Sequence, residues 1–341
     1  MAQSTQAAPV TSTEHPVLSI ERLSVTLPGG AAARPVLDHV SLTVHAGQTV
    51  GLVGESGSGK SVTCRAALGL FPARAHLDGS VRVAGRDVLT MTRGERRRMR
   101  ARDAAMVFQD PRSSINPLRT VGDFLTEALR THDRLTRGAA TTAAAELLAA
   151  VGLRDPRTAL RRYPHEFSGG MLQRVMIAAA LAGEPRLLLA DEPTTALDMS
   201  IQAEVIALLA RLRAERDLGL LFVTHDLDLA GAICDRIYVM YAGRIVEHRP
   251  AADLFRSPRH PYTAALLASR PRLDRAADRL DAVRGRPLGL DESVPGCGFA
   301  PRCDGATDAC LRGSVPLTAI GDEPSAPGQV ACLHPAEVAA R

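Results

Sequence analysis

The chain has 341 residues, which is more than one ordinary small domain and suits one large α/β domain with an appendage. Hydrophobic residues make up 45% of it, enough for a sizeable core, whereas aromatic residues make up 3% and Trp is absent, which leaves few stacking surfaces for single-stranded nucleic acid. The net charge of +4 is weak evidence for a nucleic-acid partner and mild evidence for an anionic ligand or a membrane surface.

The first segment, residues 1–16, has neither a basic start nor an apolar run. We expect a disordered leader there rather than a signal peptide, and a chain that stays in the cytoplasm. No run of about 18 apolar residues occurs, so we expect no membrane span. Val17 to Leu27 and Val36 to Val44 are predicted strands, and we expect them to form the antiparallel edge of the sheet.

Lys60 is the one lysine among 41 Lys and Arg residues, and it ends a glycine-rich loop between a predicted strand, Gln48 to Val53, and a predicted helix, Ser61 to Leu68. The loop consists of Gly54, Glu55, Ser56, Gly57, Ser58, Gly59, Lys60 and Ser61. In this context backbone N–H groups gather around a β-phosphate, Lys60 reaches the β- and γ-phosphates, and Ser61 ligates Mg²⁺. The alternative is a Gly/Ser turn that happens to precede a lysine.

The middle of the chain changes from strands to helices. Ser80 to Val83 and Ala105 to Phe108 are predicted strands, and the very basic Arg93 to Arg102 between them is interpreted as a solvated helix face. Residues 110–184 have a helical pattern and are predicted to form a helical insert. Its expected helices are Val121 to Leu129, Ala139 to Val151 and Met171 to Leu181.

Strands return in the order of a βαβ fold, which predicts a mostly parallel sheet. They are Leu187 to Ala190, Leu220 to Val223 and Ile237 to Tyr241, with an amphipathic helix at Ile201 to Arg213. The first of these ends in Asp191 and Glu192, at the strand end where such sheets bind ligands. We expect Asp191 to hold Mg²⁺ opposite Ser61 and Glu192 to polarise the attacking water, the alternative being a polar turn after a strand.

Four further segments make the span from Val17 to Val246 resemble the ATP-binding-cassette (ABC) ATPases. They contain Gln109 in a Q-loop, Ser168, Gly169 and Gly170 in a signature motif, Asp198 in a D-loop and His225 as a switch histidine. The resemblance implies that Gln109 contacts Mg²⁺ and the attacking water and that His225 contacts the γ-phosphate. Leu27 stands where the family usually has an aromatic residue that stacks on adenine. Viewed alone, each segment has an ordinary alternative, such as a helix cap or a structural histidine.

The signature segment, residues 167–171, begins a predicted helix and so offers a second anion-binding helix end. One phosphate chain is not easily reached by both helix ends of the same chain. The resemblance therefore implies a head-to-tail dimer, in which ATP bound at Lys60 is capped by the signature segment of a partner.

The C-terminal region resembles that of the peptide-importer branch of the family, on the segments His260 to Leu267 and Gly296 to Cys303. Four cysteines lie in its last part: Cys297, Cys303, Cys310 and Cys332. In a cytoplasmic chain such a set favours a metal over disulfides, and the resemblance implies a 4Fe–4S cluster, with zinc or free thiols as alternatives. Cys64 and Cys234 are expected to be small buried hydrophobes.

We therefore predict an α/β ABC-type P-loop ATPase with a mostly parallel sheet, an antiparallel β edge and a helical subdomain. The nucleotide-binding domain is expected at 17–250, its helical subdomain at about 110–184, and the four-cysteine C-terminal region at 251–341. The resemblance implies an ATP- and Mg²⁺-dependent subunit that drives import of short peptides at the cytoplasmic face of the membrane. Its expected partners are a second, distinct ATPase subunit, two permeases and, indirectly, an extracytoplasmic solute-binding protein, with no nucleic acid. The alternatives are import of nickel or another solute, and a soluble ABC ATPase that acts on nucleic acid or ribosomes.

Overall fold

The computed structural model describes residues 15–28, 34–132, 135–195, 197–270, 283–289, 292, 294–320 and 328–335. Most of the predicted leader lies outside these residues. Strands and helices of the described part are numbered below in chain order.

Twelve strands occur in the described ranges. The first six are β1 (Leu18–Leu27), β2 (Arg34–Val44), β3 (Thr49–Val53), β4 (His76–Val83), β5 (Arg86–Asp87) and β6 (Ala104–Val107). The others are β7 (Leu187–Asp191), β8 (Gly219–Thr224), β9 (Arg236–Tyr241), β10 (Arg244–Pro250), β11 (Thr318–Ile320) and β12 (Gly328–Val330).

The same ranges contain eleven α-helices, none of them with the length and apolarity that a membrane crossing requires. The first six are α1 (Lys60–Ala67), α2 (Arg93–Arg102), α3 (Val121–His132), α4 (Arg137–Ala150), α5 (Pro156–Ala159) and α6 (Gly169–Leu181). The others are α7 (Met199–Arg216), α8 (Leu227–Ile233), α9 (Ala251–Arg256), α10 (Pro261–Ala268) and α11 (Asp308–Leu311).

The larger sheet has eight strands in the order β11-β12-β10-β9-β3-β8-β7-β6. Its pairings from β9 to β6 are parallel, whereas β10, β12 and β11 add antiparallel pairings on one side. Strands β3, β7 and β8 are buried along their whole length, which is why they appear in the sequence as continuous apolar runs. The predicted mostly parallel sheet with an antiparallel edge is confirmed.

The prediction of which strands form that edge is wrong. Strand β1 pairs antiparallel with β2 on one side and with β4 on the other, and β5 completes a separate sheet of four strands. Since both hydrogen-bonding edges of β1 are used within its own sheet, its apolar residues reach the parallel sheet through side-chain packing instead. Leu23 and Leu42 of the small sheet share one buried cluster with Leu189 and Val223 of the large one.

Helices α3 to α6 form the helical part that the sequence predicts between residues 110 and 184. Leu125, Leu148 and Leu172 are fully buried and belong to one core cluster together with the apolar face of the parallel sheet. Helix α2 begins with a capping box, in which Thr92 accepts the N–H of Glu95 and the Glu95 carboxylate accepts the N–H of Thr92. Most of its arginines face solvent, as predicted, and Met99 anchors it to the core.

The C-terminal tail, which we define as the described residues from 283 to 335, is joined to the preceding part of the chain in two ways. Its strand β12 pairs antiparallel with β10 and so extends the large sheet. Phe299 packs against Tyr241 and Tyr262, with ring centroids 5.5 Å and 5.3 Å apart. In a chain with only 3% aromatic residues, this cluster is a concentrated apolar contact.

Candidate functional site

A glycine-rich loop connects β3 to α1, and its backbone runs too close to neighbouring chain segments for most side chains. A Cβ added at Gly54 would lie 2.1 Å from the carbonyl oxygen of Met240, and Gly59 has φ +107°, a left-handed conformation. These are the conditions in which glycine is required. Helix α1 begins directly after the loop, so its N-terminal N–H groups are turned toward the space that the loop surrounds.

Lys60 is the first residue of α1, and only 5% of it is exposed. Its Nζ donates to the carbonyl oxygens of Gly54 and Glu55, each at 2.9 Å. Burial lowers the pKa of the Lys60 ammonium, and the nearby carboxylates of Glu192 and Asp191 oppose that shift. The loop thus holds a buried cation through neutral acceptors, which phosphate oxygens could replace at the same position.

Asp191 is the last residue of β7 and lies beside the start of α1. The Ser61 hydroxyl donates to Asp191 Oδ1 at 2.9 Å, so the two predicted Mg²⁺ ligands are brought together across 130 residues of sequence. Burial raises the pKa of the Asp191 carboxyl, while the Ser61 hydrogen bond counteracts the shift. A hydroxyl and a carboxylate are oxygen donors of the kind that Mg²⁺ prefers.

Glu192 follows Asp191 in a left-handed backbone conformation, with φ +49°. One carboxylate oxygen, Oε2, accepts from Gln109 Nε2 at 3.1 Å and from Thr195 Oγ1 at 3.0 Å, and lies 3.3 Å from His225 Nδ1. The structure therefore brings together all three residues for which a catalytic role is predicted. Thr195 was missed by sequence reasoning, although it stands three residues after Glu192 in the predicted D-loop region.

These side chains and the loop surround a cavity of about 520 Å³. Its lining consists of Val36, the loop residues Ser56 to Ser61, Val62, Gln109, Glu192 and His225. Its volume lies in the range of ligand pockets, roughly 300–1,000 Å³. The Ser58 hydroxyl is buried and has no hydrogen-bond partner within the described part of the chain, which a phosphate oxygen would provide. The cavity, the Lys60 ammonium and the N-terminus of α1 together fit a nucleoside triphosphate with Mg²⁺.

The signature segment lies elsewhere in the chain, at the start of α6. Ser168 caps this helix by accepting the N–H of Met171 at 3.3 Å, and Gly169 and Gly170 are its first residues. Asp198 similarly caps α7 by accepting the N–H of Ile201 at 3.0 Å. As far as the described residues go, neither segment lines the cavity at Lys60. Four of the predicted site residues therefore lie outside the lining of this cavity: Ser168, Gly169, Gly170 and Asp198.

The four tail cysteines converge on a second cavity of about 290 Å³, which we call the thiol cavity. Cys297, Cys303, Cys310 and Cys332 all line it, together with His260 and His334. Burial raises the pKa of the Cys297, Cys303 and Cys332 thiols. Among the described residues, however, no group of three or more His, Cys, Asp or Glu side chains is arranged to hold a metal ion. The predicted cluster therefore stays a prediction, although the cysteines do come together.

Two family descriptions match different parts of the chain. "ABC transporter" matches residues 37–195, and "Oligopeptide/dipeptide transporter, C-terminal region" matches residues 246–310. The chain is also 41% identical over 322 residues to the oligopeptide transport ATP-binding protein OppD of Escherichia coli K12, a match that covers 94% of each protein. The chain belongs to the ABC transporter family.

A second relative and a solved structure also place this chain in the ABC transporter family. It is 44% identical over 307 residues to the dipeptide transport ATP-binding protein DppD of Haemophilus influenzae, covering 89% of this chain and 93% of the relative. Its fold matches the dimeric ATP-binding cassette MJ0796, solved in a post-hydrolysis state with ADP and Pi, with a TM-score of 0.62 and 27% identity over 69% of this chain and 98% of that one. The predicted ABC-type ATPase fold and peptide-import branch are confirmed.

Glu55, in the glycine-rich loop, contacts two residues that are far away in the sequence and that no short motif connects with it. Its N–H donates to the Tyr262 hydroxyl at 2.9 Å, and its carboxylate forms an ion pair with Arg302 at 2.7 Å. These partners lie 207 and 247 residues away in the sequence. The predicted phosphate loop therefore has a connection to the C-terminal tail that only the fold reveals.

Proposed function

We propose that this chain is the ATP-hydrolysing subunit of a membrane importer for short peptides. The observation that carries the proposal is the convergence of Gln109 and His225 on one carboxylate oxygen of Glu192, beside the phosphate loop. A general base, a polar side chain that orients water and a histidine 3.3 Å from the base form a set of groups that suits phosphoryl transfer to water.

In this proposal Lys60 and the N–H groups of the loop bind the β- and γ-phosphates of ATP. Ser61, Asp191 and Gln109 would hold Mg²⁺, which when bound would neutralise the charge that develops on the phosphate oxygens. Glu192 accepts the proton of a water molecule as its oxygen bonds to the γ-phosphorus, and the bond from that phosphorus to the bridging oxygen breaks to release ADP. His225 donates a hydrogen bond to the γ-phosphate and so keeps it in line with the water.

The position of the signature segment supports a head-to-tail dimer. The N-terminus of α6 has a helix dipole and N–H groups that have no partner within the helix, but it does not line the cavity at Lys60. Met199, next to Asp198, is 87% exposed, which is high for a large apolar side chain and suits an interface. The dimeric state of MJ0796 supports the formation of a dimer. We propose that Ser168, Gly169 and Gly170 cap ATP bound to a second ATPase subunit, which is similar to this chain but distinct from it.

The remaining partners follow from the peptide-import branch. We propose two permeases at the cytoplasmic face of the membrane, supplied by an extracytoplasmic solute-binding protein, with no direct contact between the peptide and this chain. Leu118, in the loop after Gln109, is 84% exposed and is a candidate contact to a permease. The names OppD and DppD, oligopeptide and dipeptide transport proteins, favour peptides over nickel and over nucleic acid or ribosomes. We propose a nucleotide-binding domain at residues 17–250 and a separate C-terminal region at residues 251–341.

We also propose that the thiol cavity holds a 4Fe–4S cluster. Zinc would need sulfur atoms at about 2.3 Å from one ion, whereas a cluster spreads four thiolates around a wider space. All four tail cysteines line one cavity of about 290 Å³, and this shared lining is the observation that supports the proposal. Cys297, Cys303, Cys310 and Cys332 would be the ligands. When bound, the cluster would cross-link a tail that has little apolar core of its own.

The test is ATP hydrolysis by the importer assembled in vesicles, with uptake of a labelled tripeptide as a second readout. Glu192→Gln should lower the hydrolysis rate by roughly 10²-fold or more, the range that loss of a general base produces. Glu215→Gln, a change at an exposed position of α7, is the matched control. A wild-type rate in Glu192→Gln would contradict the assignment of the base, and hydrolysis without peptide uptake would contradict the substrate class.

For the tail, the visible absorbance of an anaerobically purified preparation should show a brown chromophore that Cys303→Ala removes. A colourless, iron-free wild-type protein would contradict the cluster and leave free thiols. Neither result depends on the outcome at Glu192.

A further inference from the structure

Glu55 forms hydrogen bonds through three of its groups, one within the phosphate loop and two to the C-terminal region. Its carbonyl oxygen accepts from Lys60 Nζ at 2.9 Å, and its N–H donates to the Tyr262 hydroxyl at the same distance. Its carboxylate accepts from both terminal nitrogens of Arg302, at 2.7 Å and 3.1 Å. One loop residue is thus bonded at once to the phosphate-binding lysine and to two side chains from the C-terminal region.

The Arg302 side chain is held tightly in place. Only 4% of it is exposed, and its guanidinium lies 5.8 Å from the ring centre of Tyr241 and 5.6 Å from that of Phe299. Its Nε donates to the carbonyl oxygen of Arg284 at 2.7 Å. The hydrogen bonds to Glu55 raise the pKa of Arg302 above its ordinary value. A buried, two-pronged arginine–carboxylate pair fixes direction as well as distance, unlike an exposed ion pair.

Both partners of Glu55 lie next to the thiol cavity. Arg302 directly precedes Cys303, which lines that cavity. The N–H of Tyr262 donates to His260 Nδ1 at 3.0 Å, and His260 Nε2 lies 3.9 Å from Cys297 Sγ. Because Nδ1 accepts a hydrogen bond, the proton of the neutral imidazole is on Nε2, facing the sulfur side. Two short routes therefore connect the tail cysteines to Glu55, one through Arg302 and one through His260 and Tyr262.

We propose that Arg302, in the tail, and Tyr262, in α10, are positioning residues that hold the phosphate loop, so that nucleotide binding and the state of the thiol cavity are energetically coupled. The inference deepens the proposed ATPase function and rests on it. A loop whose Glu55 N–H and carboxylate are both held by the C-terminal region loses less freedom when phosphate binds, which strengthens binding. Linkage requires the reverse as well, so bound nucleotide must stabilise the tail by the same factor.

The first experiment separates positioning from general structural support by measuring nucleotide affinity and kinetics. Arg302→Met should raise the Kd for a fluorescent ATP analogue and the KM for ATP by about tenfold, within the range of allosteric coupling, and change kcat far less. Arg302→Lys, which keeps the charge but not the fork, should lie between. Arg312→Met is the matched control, because Arg312 is a tail arginine whose ion pair with Asp308 is largely exposed.

Equal affinity in the Arg302→Met and Arg312→Met proteins would overturn the proposal. Tyr262→Phe keeps the buried ring and removes only the hydroxyl, so it should raise the Kd even if Arg302→Met does not fold. Cys303→Ala perturbs the thiol cavity without changing a contact of Glu55, and it should also raise the Kd. An unchanged Kd in Cys303→Ala would contradict the proposed coupling.

The second experiment tests reciprocity by amide hydrogen exchange of the full-length chain. Exchange across residues 297–311 should slow when MgADP is added to the wild type, and should not respond in Arg302→Met. No response of the tail in the wild type would overturn the coupling even if affinity depends on Arg302. Failure of the ATPase proposal is distinguishable, since the wild type would then bind no nucleotide or hydrolyse ATP without Glu192.

Discussion

Gly169 offers a substitution that should separate folding from function. Among the residues that the structure describes, a Cβ at this position would meet Leu197 Cδ2 alone, at 3.5 Å, which is an ordinary van der Waals contact. Alanine is preferred over glycine by up to about 1 kcal/mol in helix interiors, and Gly169 is the first residue of α6, where this preference is smaller. Gly169→Ala should therefore leave the melting temperature unchanged or raise it by about 2–4 °C.

The same methyl group should damage hydrolysis if this helix end caps a partner's nucleotide. It would stand between the N–H groups of α6 and the phosphate, and a hydrogen bond to a charged group contributes roughly 1.5–3 kcal/mol. That corresponds to a rate loss of about tenfold to a hundredfold. The assay is ATP hydrolysis at saturating ATP in the assembled importer, with a thermal melt on the same preparation.

Gly170→Ala is the contrasting variant, because its Cβ would lie 2.3 Å from Ile201 Cγ2. Overpacking of this kind costs about 1–3 kcal/mol, so Gly170→Ala should lose stability as well as activity. A Gly169→Ala importer that hydrolyses ATP at the wild-type rate would refute the capping role of the signature segment. A loss of stability in Gly169→Ala would refute the packing argument.

Three further outcomes are expected. Leu118→Ser should leave the melting temperature unchanged but reduce co-purification with the permeases, and undiminished co-purification would remove Leu118 from that interface. Cys64 and Cys234 should resist iodoacetamide at pH 8 until the protein unfolds, as mass spectrometry would show, because burial raises both thiol pKa values and the thiolate is the reactive form. Burial and the charge of Arg236 lower the pKa of His248, so the folded state favours the neutral imidazole. The stability that neutral His248 contributes is therefore present above the ordinary pKa of histidine and is lost as the pH falls below it. The protection factors of the β12 amides, taken relative to the intrinsic exchange rate at each pH, should therefore fall below about pH 6.5, and should fall less in His248→Gln, which cannot take up a proton.

The sequence predicts the parts of the site that are local and misses those that depend on distant contacts. The phosphate loop and the Asp191-Glu192 strand end are each contained in one short segment, so their residue types and spacing are visible without a structure. Tyr262 and Arg302 meet Glu55 from the far end of the chain, and nothing near either residue indicates that contact. The separate antiparallel sheet was missed for the same reason. Strand β1 looks like an edge strand by itself, and only its second pairing, with β4, places it inside another sheet.

The left-handed backbone at Glu192 sets stability against activity at this position. A residue other than glycine held at such a φ angle costs of order 1–3 kcal/mol, which glycine would not incur. A library screened for heat resistance alone should therefore enrich glycine at position 192 and yield thermostable proteins that bind nucleotide without turnover. A library screened for turnover should keep the glutamate and find its stabilising substitutions elsewhere.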